Sequence, residues 1–453
     1  MPDETEFFDT TLPKAIPKFK ARFYVPIKKI IRQLSDAFEQ HGDVIQITGF
    51  PARVFVFRNP EHVSHIYRHQ AGQTKNMKIM PRVKWVYRKG GYALTGGKLW
   101  RERRMQVYEA FKSPFLNRYA AQVPELTKRM LDRWSIFENK EFDICREFQI
   151  LITQLSFKMF FSKDISDRDL EAAHYCTYFI DANMVRPFTP LWLPLPQNFR
   201  FRRCTHQLRK IMLGIIQERR TESGNKKEDL LSILINLKDT DTGEPWSDDE
   251  IVDEIFSIHL GLWVVSTHLT WCAYQVAIHP IVQKKLIDET KNILGIREPY
   301  AEDLSVLPYS QMVLEESLRF YPASWGYPHY TEDAMKIDDY FIPAKSFVIP
   351  MVYHTHRHPQ WWPNPEMFDP ERFHPDNKAK MHPFMHYPLG GGPRVCLGIN
   401  LAPVIMRLII TMVFQRYRLE FKSRFSLDPI EEFSFGFHPH DELRVTAHHI
   451  ALN

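Results

Sequence analysis

"YPLGGGPRVCLGINLAPVIMR", residues 387–407, is the stretch that decides the fold. Gly390, Gly391 and Gly392 stand in a row, so the backbone can turn tightly and come close beneath a flat ligand. Cys396 falls where a helical pattern begins. A thiolate there is favoured by the helix's orphan N–H groups and dipole, and hydrogen bonds from the following amides tune its electron donation. Arg394 adds a cation beside it. A lone cysteine is more often a small buried hydrophobe, so the context has to overturn that prior.

Outside this loop the chain reads as globular. It has 453 residues, 44% hydrophobic and 25% charged, enough for one large core or two ordinary ones. The formal charge of +5 is modest and calls for no nucleic acid partner. Cys145, Cys176, Cys204, Cys272 and Cys396 lack paired spacing, which argues against a disulfide framework. The longest apolar run, "IMRLIITMVF" at 405–414, is interrupted by Arg407, and the N-terminus is polar and proline-punctuated. The expectation is a cytoplasmic protein without a transmembrane anchor.

"DVIQITGFPARVFVF" (43–57) alternates like a hairpin around Gly49 and Pro51. The spacing is then mostly helical to residue 322, short strands and proline-rich coil follow, and a helix is expected over about 397–416. Ser247 and the acidic residues after it open a helix of about thirty residues that runs to His279-Pro280.

The cysteine loop resembles the haem-binding signature F-x-x-G-x-R-x-C-x-G of the cytochrome P450 family, through Gly392, Arg394, Cys396 and Gly398, with Leu389 in place of the phenylalanine. Three further motifs follow in the family's order. "LEESLRFYP" carries E-x-x-R as Glu316 and Arg319, and "PERF" supplies Arg372, which the resemblance makes the third member of a buried ion triad. "WRERR" resembles W-x-x-x-R, implying that Trp100 and Arg104 hold a haem propionate, with His329 where the family has another arginine. The resemblance implies a mostly α chain with a small β region (α+β), a triangular prism with haem between a long distal helix and the proximal cysteine loop. It implies one domain over 1–453, β-rich at about 43–70, 323–360 and the C-terminal strands, and helical at about 71–322 and 397–416. The cofactor implied is haem b, with Cys396 as the thiolate on iron, a ligand that favours O–O cleavage.

Counting back from His279-Pro280, "LGLWVVST" falls where the family's distal helix reads A-G-x-D/E-T. Gly261 survives, but Trp263 replaces the proton-relaying acid and Val264 the threonine. Three readings stay open: a packed helix face with proton delivery by water or substrate; takeover by Ser266 and Thr267, unless their hydroxyls bond back to the helix; or chemistry other than standard oxygen insertion, such as phenol coupling, which is slightly favoured. Trp263 is expected to narrow the pocket above the iron. Basic residues in 74–94, where the family has a specificity loop, are candidates to hold a carboxylate or phenolate of a small substrate, and "SFGF" (434–437) falls in the region of another family contact loop. Arg101, Arg103, Arg104, Arg407 and Arg416 suggest a basic proximal face for an acidic ferredoxin or flavodoxin, unless peroxide is the oxidant. An ordinary partner-dependent hydroxylase, a peroxygenase or peroxide-rearranging enzyme, and a haem protein without catalysis are the alternatives.

Overall fold

The computed structural model describes residues 14–20, 27–48, 52–69, 81–88, 91, 95–137, 140–184, 190–222, 227–322, 324–421 and 442–450. The turn at 49–51, most of the 74–94 loop and "SFGF" lie outside them.

The β region is a five-stranded sheet of β1 (Lys18–Lys20), β2 (Val44–Thr48), β3 (Arg53–Phe57), β4 (His329–Thr331) and β5 (Ser346–Pro350), in the order β1-β2-β3-β5-β4. The alternating pattern of 43–57 does pair as an antiparallel β2–β3 ladder, Val44 opposite Phe57 and Ile47 opposite Val54. β3 and β5 pair in parallel, which joins the N-terminal strands to residues three hundred positions downstream. This long-range pairing places β4 and its His329 beside the cysteine loop.

The helices that build the site are α1 (Gly97–Tyr108), α2 (Ser113–Ala120), α3 (Ile144–Phe161), α4 (Asp167–Met184), α5 (Pro196–Thr221), α6 (Asp248–Ile278), α7 (Pro308–Phe320) and α8 (Ala402–Arg416). α6 is 31 residues long and opens on a capping box, with the Ser247 side chain accepting from the Glu250 N–H and Glu250 reaching back to the Ser247 N–H. Its apolar residues run all round the helix, because it passes through the core between α3, α4, α7 and α8. α6 and the segment Leu397–Arg416 are long and apolar enough to cross a bilayer, contrary to the sequence reading, but most of each apolar stretch, 78% and 61%, is buried inside the protein. They are core helices here.

One expected boundary shifts. The helix after Cys396 does not start there: a single tight turn, Leu397–Ile399, comes first, and α8 begins only at Ala402. Pro403 is the reason, since a residue without N–H fits only the first turn of a helix.

Candidate active site

A cavity with about 840 Å³ of empty space, open solvent included, lies between α6 and the cysteine loop. Cys396 sits deep in the protein, yet its own surface is exposed because it faces this cavity. The loop is tied by its backbone: the Cys396 N–H donates to the Leu389 carbonyl at 3.1 Å, and Leu389 also lines the cavity. At Gly392 φ is +62°, and a Cβ there would stand 3.0 Å from the Tyr67 carbonyl oxygen, so glycine is required twice over. Gly398 donates its N–H toward the Cys396 sulfur. Burial pushes the Cys396 thiol up, against the Gly398 amide and the Arg104 charge, which pull it down. The loop alone therefore does not make a thiolate; a coordinated cation would, because its charge outweighs desolvation.

Beside the cysteine loop, Trp100, Arg104, Arg394 and His329 converge. The Arg394 guanidinium lies 4.2 Å from the Trp100 ring and donates to the Thr95 carbonyl at 3.0 Å, while Arg104 donates to the Val395 carbonyl at 2.6 Å. His329 is buried, its Nε2 lacks a hydrogen-bond partner, and its pKa is lowered to about 4 by burial and by the Arg394 charge. A buried orphan nitrogen near the Arg394 guanidinium, with Arg104 on the same loop, suits an acidic group of a bound molecule, so these residues fit a haem with its propionates on this side.

Glu316, Arg319 and Arg372 meet as expected. Glu316 and Arg319 are fully buried and bidentate at 2.6 and 2.8 Å, and Arg372 approaches Glu316 at 3.5 Å. Arg319 also donates to the carbonyls of His356 and Met367, and Arg372 to those of Pro363 and Asn364, which pins the coil over 353–373 onto α7.

The distal wall corrects the sequence reading. Gly261, Leu262, Val264, Val265 and His268 line the cavity; Trp263 does not. At 100° per residue Trp263 points away from the stripe of Gly261 and Val264, and it packs on the His174 ring of α4 at 5.8 Å, fully buried, with no hydrogen bond to its indole N–H among the described residues. It cannot narrow the pocket. Thr267 is buried off the cavity wall, and the Ser266 hydroxyl bonds back to the Trp263 carbonyl at 2.7 Å, so neither replaces the missing alcohol.

Nor do the cations gather as expected. Arg82 points inward but donates to the Asn183 carbonyl and the Asn198 Oδ1, while Lys84 and Arg88 are exposed. On the proximal side Arg103 is buried against Glu250, Arg407 donates to the carbonyls of Leu304 and Leu307, and Arg416 pairs with Asp132. With Arg104 turned to Val395, only Arg101 of those five is a solvent-facing cation without such an anchor. Of the five, Arg103 and Arg416 are thus paired with acids, while Arg104 and Arg407 are turned to backbone carbonyls. The sequence reading missed Tyr119, Met159, Phe160 and His268 as lining residues. Helical spacing from Gly261 would have found His268; the others reach the cavity from elsewhere in the chain and only packing brings them there.

A helical fold with a cysteine loop facing a long distal helix across a cavity defines the haem-thiolate class of oxidoreductases. The chain belongs to the cytochrome P450 family, whose family model matches residues 12–443. It is similar to cyclooctat-9-en-7-ol 5-monooxygenase of Streptomyces melanosporofaciens, 28% identical over 84% of this chain and 83% of the relative. It also resembles cyclooctatin synthase of the same organism, 25% identical over the same shares. Among solved structures, the retinoic acid bound cyanobacterial CYP120A1 shares the fold with a TM-score of 0.85 at 22% identity, covering 97% of this chain and 100% of that one. The protein is thus a P450 oxidoreductase whose cofactor is haem b on a cysteine thiolate, acting on small molecules.

Proposed function

We propose that this chain, as a single catalytic domain, is a cytoplasmic, redox-partner-dependent monooxygenase of a bulky apolar substrate, with Cys396 as the iron ligand. The observation that carries the reading is the lining of the cavity. Ala110, Phe111, Met159, Phe160, Leu262 and Val265 surround it, and none of the described basic residues of the 74–94 segment reaches it. Such a wall binds by burying apolar surface and offers an anionic substrate no counter-charge. The two Streptomyces relatives, one of them named for oxidation of a cyclic alkenol, support an apolar cyclic alcohol as the substrate class.

When bound, haem b supplies a thiolate-ligated iron that oxidises the substrate with dioxygen and two electrons. The protein's own residues hold and shape that site. Trp100, Arg104, Arg394 and His329 would anchor the propionates, with His329 neutral at physiological pH because of its burial. Leu389 shields the sulfur side, and the Gly398 amide tempers the sulfur's electron donation. Gly261 would leave room for the haem, and Val264 and Val265 would keep the wall apolar. A ferredoxin or flavodoxin would deliver the electrons to the face carrying Arg101, through shape more than charge.

Val264 supports a second reading, oxidative coupling of phenols, because a valine leaves the wall without the alcohol that standard oxygen insertion uses. One experiment separates the two. The protein with a reductase system and labelled dioxygen is offered cyclic terpenoid alcohols and phenols. Label in a terpenoid product supports monooxygenation; unlabelled coupled phenols support the second reading. Loss of the thiolate-type reduced carbon monoxide spectrum in Cys396→Ser supports the ligand assignment, and its persistence refutes it.

A further inference from the structure

We propose that His268 is the proton-relay residue of the distal wall, standing in for the acid and alcohol that Trp263 and Val264 replace. The inference rests on the haem-thiolate reading above. His268 follows Val264 by four residues and Gly261 by seven, so it continues the same stripe of α6 one turn further, and it lines the same cavity. It is buried at 4% exposure and lines the cavity.

The other groups lining the cavity narrow the assignment. α3 offers Met159 and Phe160, and α8 offers Ala402 and Met406, none of which carries a mobile proton. Tyr119 of α2 faces the cavity with a buried hydroxyl, but burial and the Asp229 charge push its pKa far up, so it can pass a hydrogen bond without changing charge. Ser257, one turn before Gly261, has a hydroxyl that does not titrate, and Cys396 belongs to the proximal loop. Imidazole differs from all of these, because one of its two ring nitrogens donates while the other accepts. In the relay one ring nitrogen gives its proton to an acceptor in the cavity and the other takes one from water. The imidazole ends as it began, and the relay consumes neither oxidant nor reductant.

The holoprotein is reduced, exposed to carbon monoxide and followed by infrared spectroscopy of the C–O stretch, beside His268→Leu and His268→Gln. The wild type should show a C–O band displaced from that of His268→Leu, because an imidazole N–H presents the ligand with a field that leucine does not. Product formation in His268→Leu should fall about 10²-fold or more, as for other acid–base groups. A wild-type band that matches His268→Leu overturns the proposal, as does full turnover in both variants. If His268→Leu fails to take up haem, His268→Gln carries the same comparison. A wild type without the thiolate-type reduced spectrum instead refutes the haem-thiolate reading itself.

Discussion

At the residue scale, two adjacent positions on α6 separate sharply. Trp263 and Val264 differ by one step in sequence, yet one is core and the other is cavity wall. The expected consequence for Trp263 is structural. Trp263→Phe, which removes a buried N–H without a partner, should leave the melting temperature nearly unchanged or raise it, whereas Trp263→Asp strands a charge and should cost about 3–5 kcal/mol in urea unfolding. Equal stability of the two variants would contradict this packing. Val264→Thr, by contrast, adds a hydroxyl to the cavity wall. It should change the peroxide released per reductant consumed, by well under the ~10²-fold typical of an acid–base group. Cys396, Gly392 and Arg394 were legible through the family signature they match, because that signature lies in one short segment. Trp263 was misplaced because motif alignment says which positions correspond, not which way a bulkier replacement will pack.

At the element scale, the ion triad shows how a weak local signal becomes strong through packing. Glu316 and Arg319 on an exposed helix would contribute well under ~1 kcal/mol. Fully buried on α7, with Arg372 and several carbonyls completing their hydrogen bonds, they fasten the coil that leads to the cysteine loop. Burial raises the Glu316 pKa and lowers that of Arg319, which measures the desolvation their pairing must offset. Glu316→Gln should therefore destabilise by about 3–5 kcal/mol, read from urea midpoints at constant slope, because it leaves a buried guanidinium uncompensated. A loss near zero would mean that carbonyls alone satisfy Arg319. The late start of α8 also belongs to this scale: Pro403 was visible in the sequence, but the turn before it was not.

At the scale of the whole molecule, buried histidines set the acid limit. His259 lies between the Ser156 and Thr177 hydroxyls at 2.9 Å each, His354 contacts the Ser35 hydroxyl, and His386 stacks on His356. Burial lowers their pKa values to about 4, 3 and 3. The unfolded chain binds protons at these sites from about pH 6.5 downward, while the folded one does not until about pH 4 to 3. Stability is thus fully present above about pH 6.5 and declines as pH falls through that window. Melting temperatures of the holoprotein between pH 7.5 and 4 should fall progressively, and His259→Gln should flatten part of the slope; a flat profile would contradict the burial of these rings.

The family signature, the cysteine loop and the distal-helix stretch without acid or alcohol could be read from the amino-acid sequence, since each is written within a few neighbouring residues. Tertiary structure alone decided that Trp263 turns into the core, that the expected surface arginines are anchored elsewhere, and that His268 and Tyr119 share one cavity. Those outcomes depend on which helix face meets which partner, and that is settled by contacts between segments far apart in the chain.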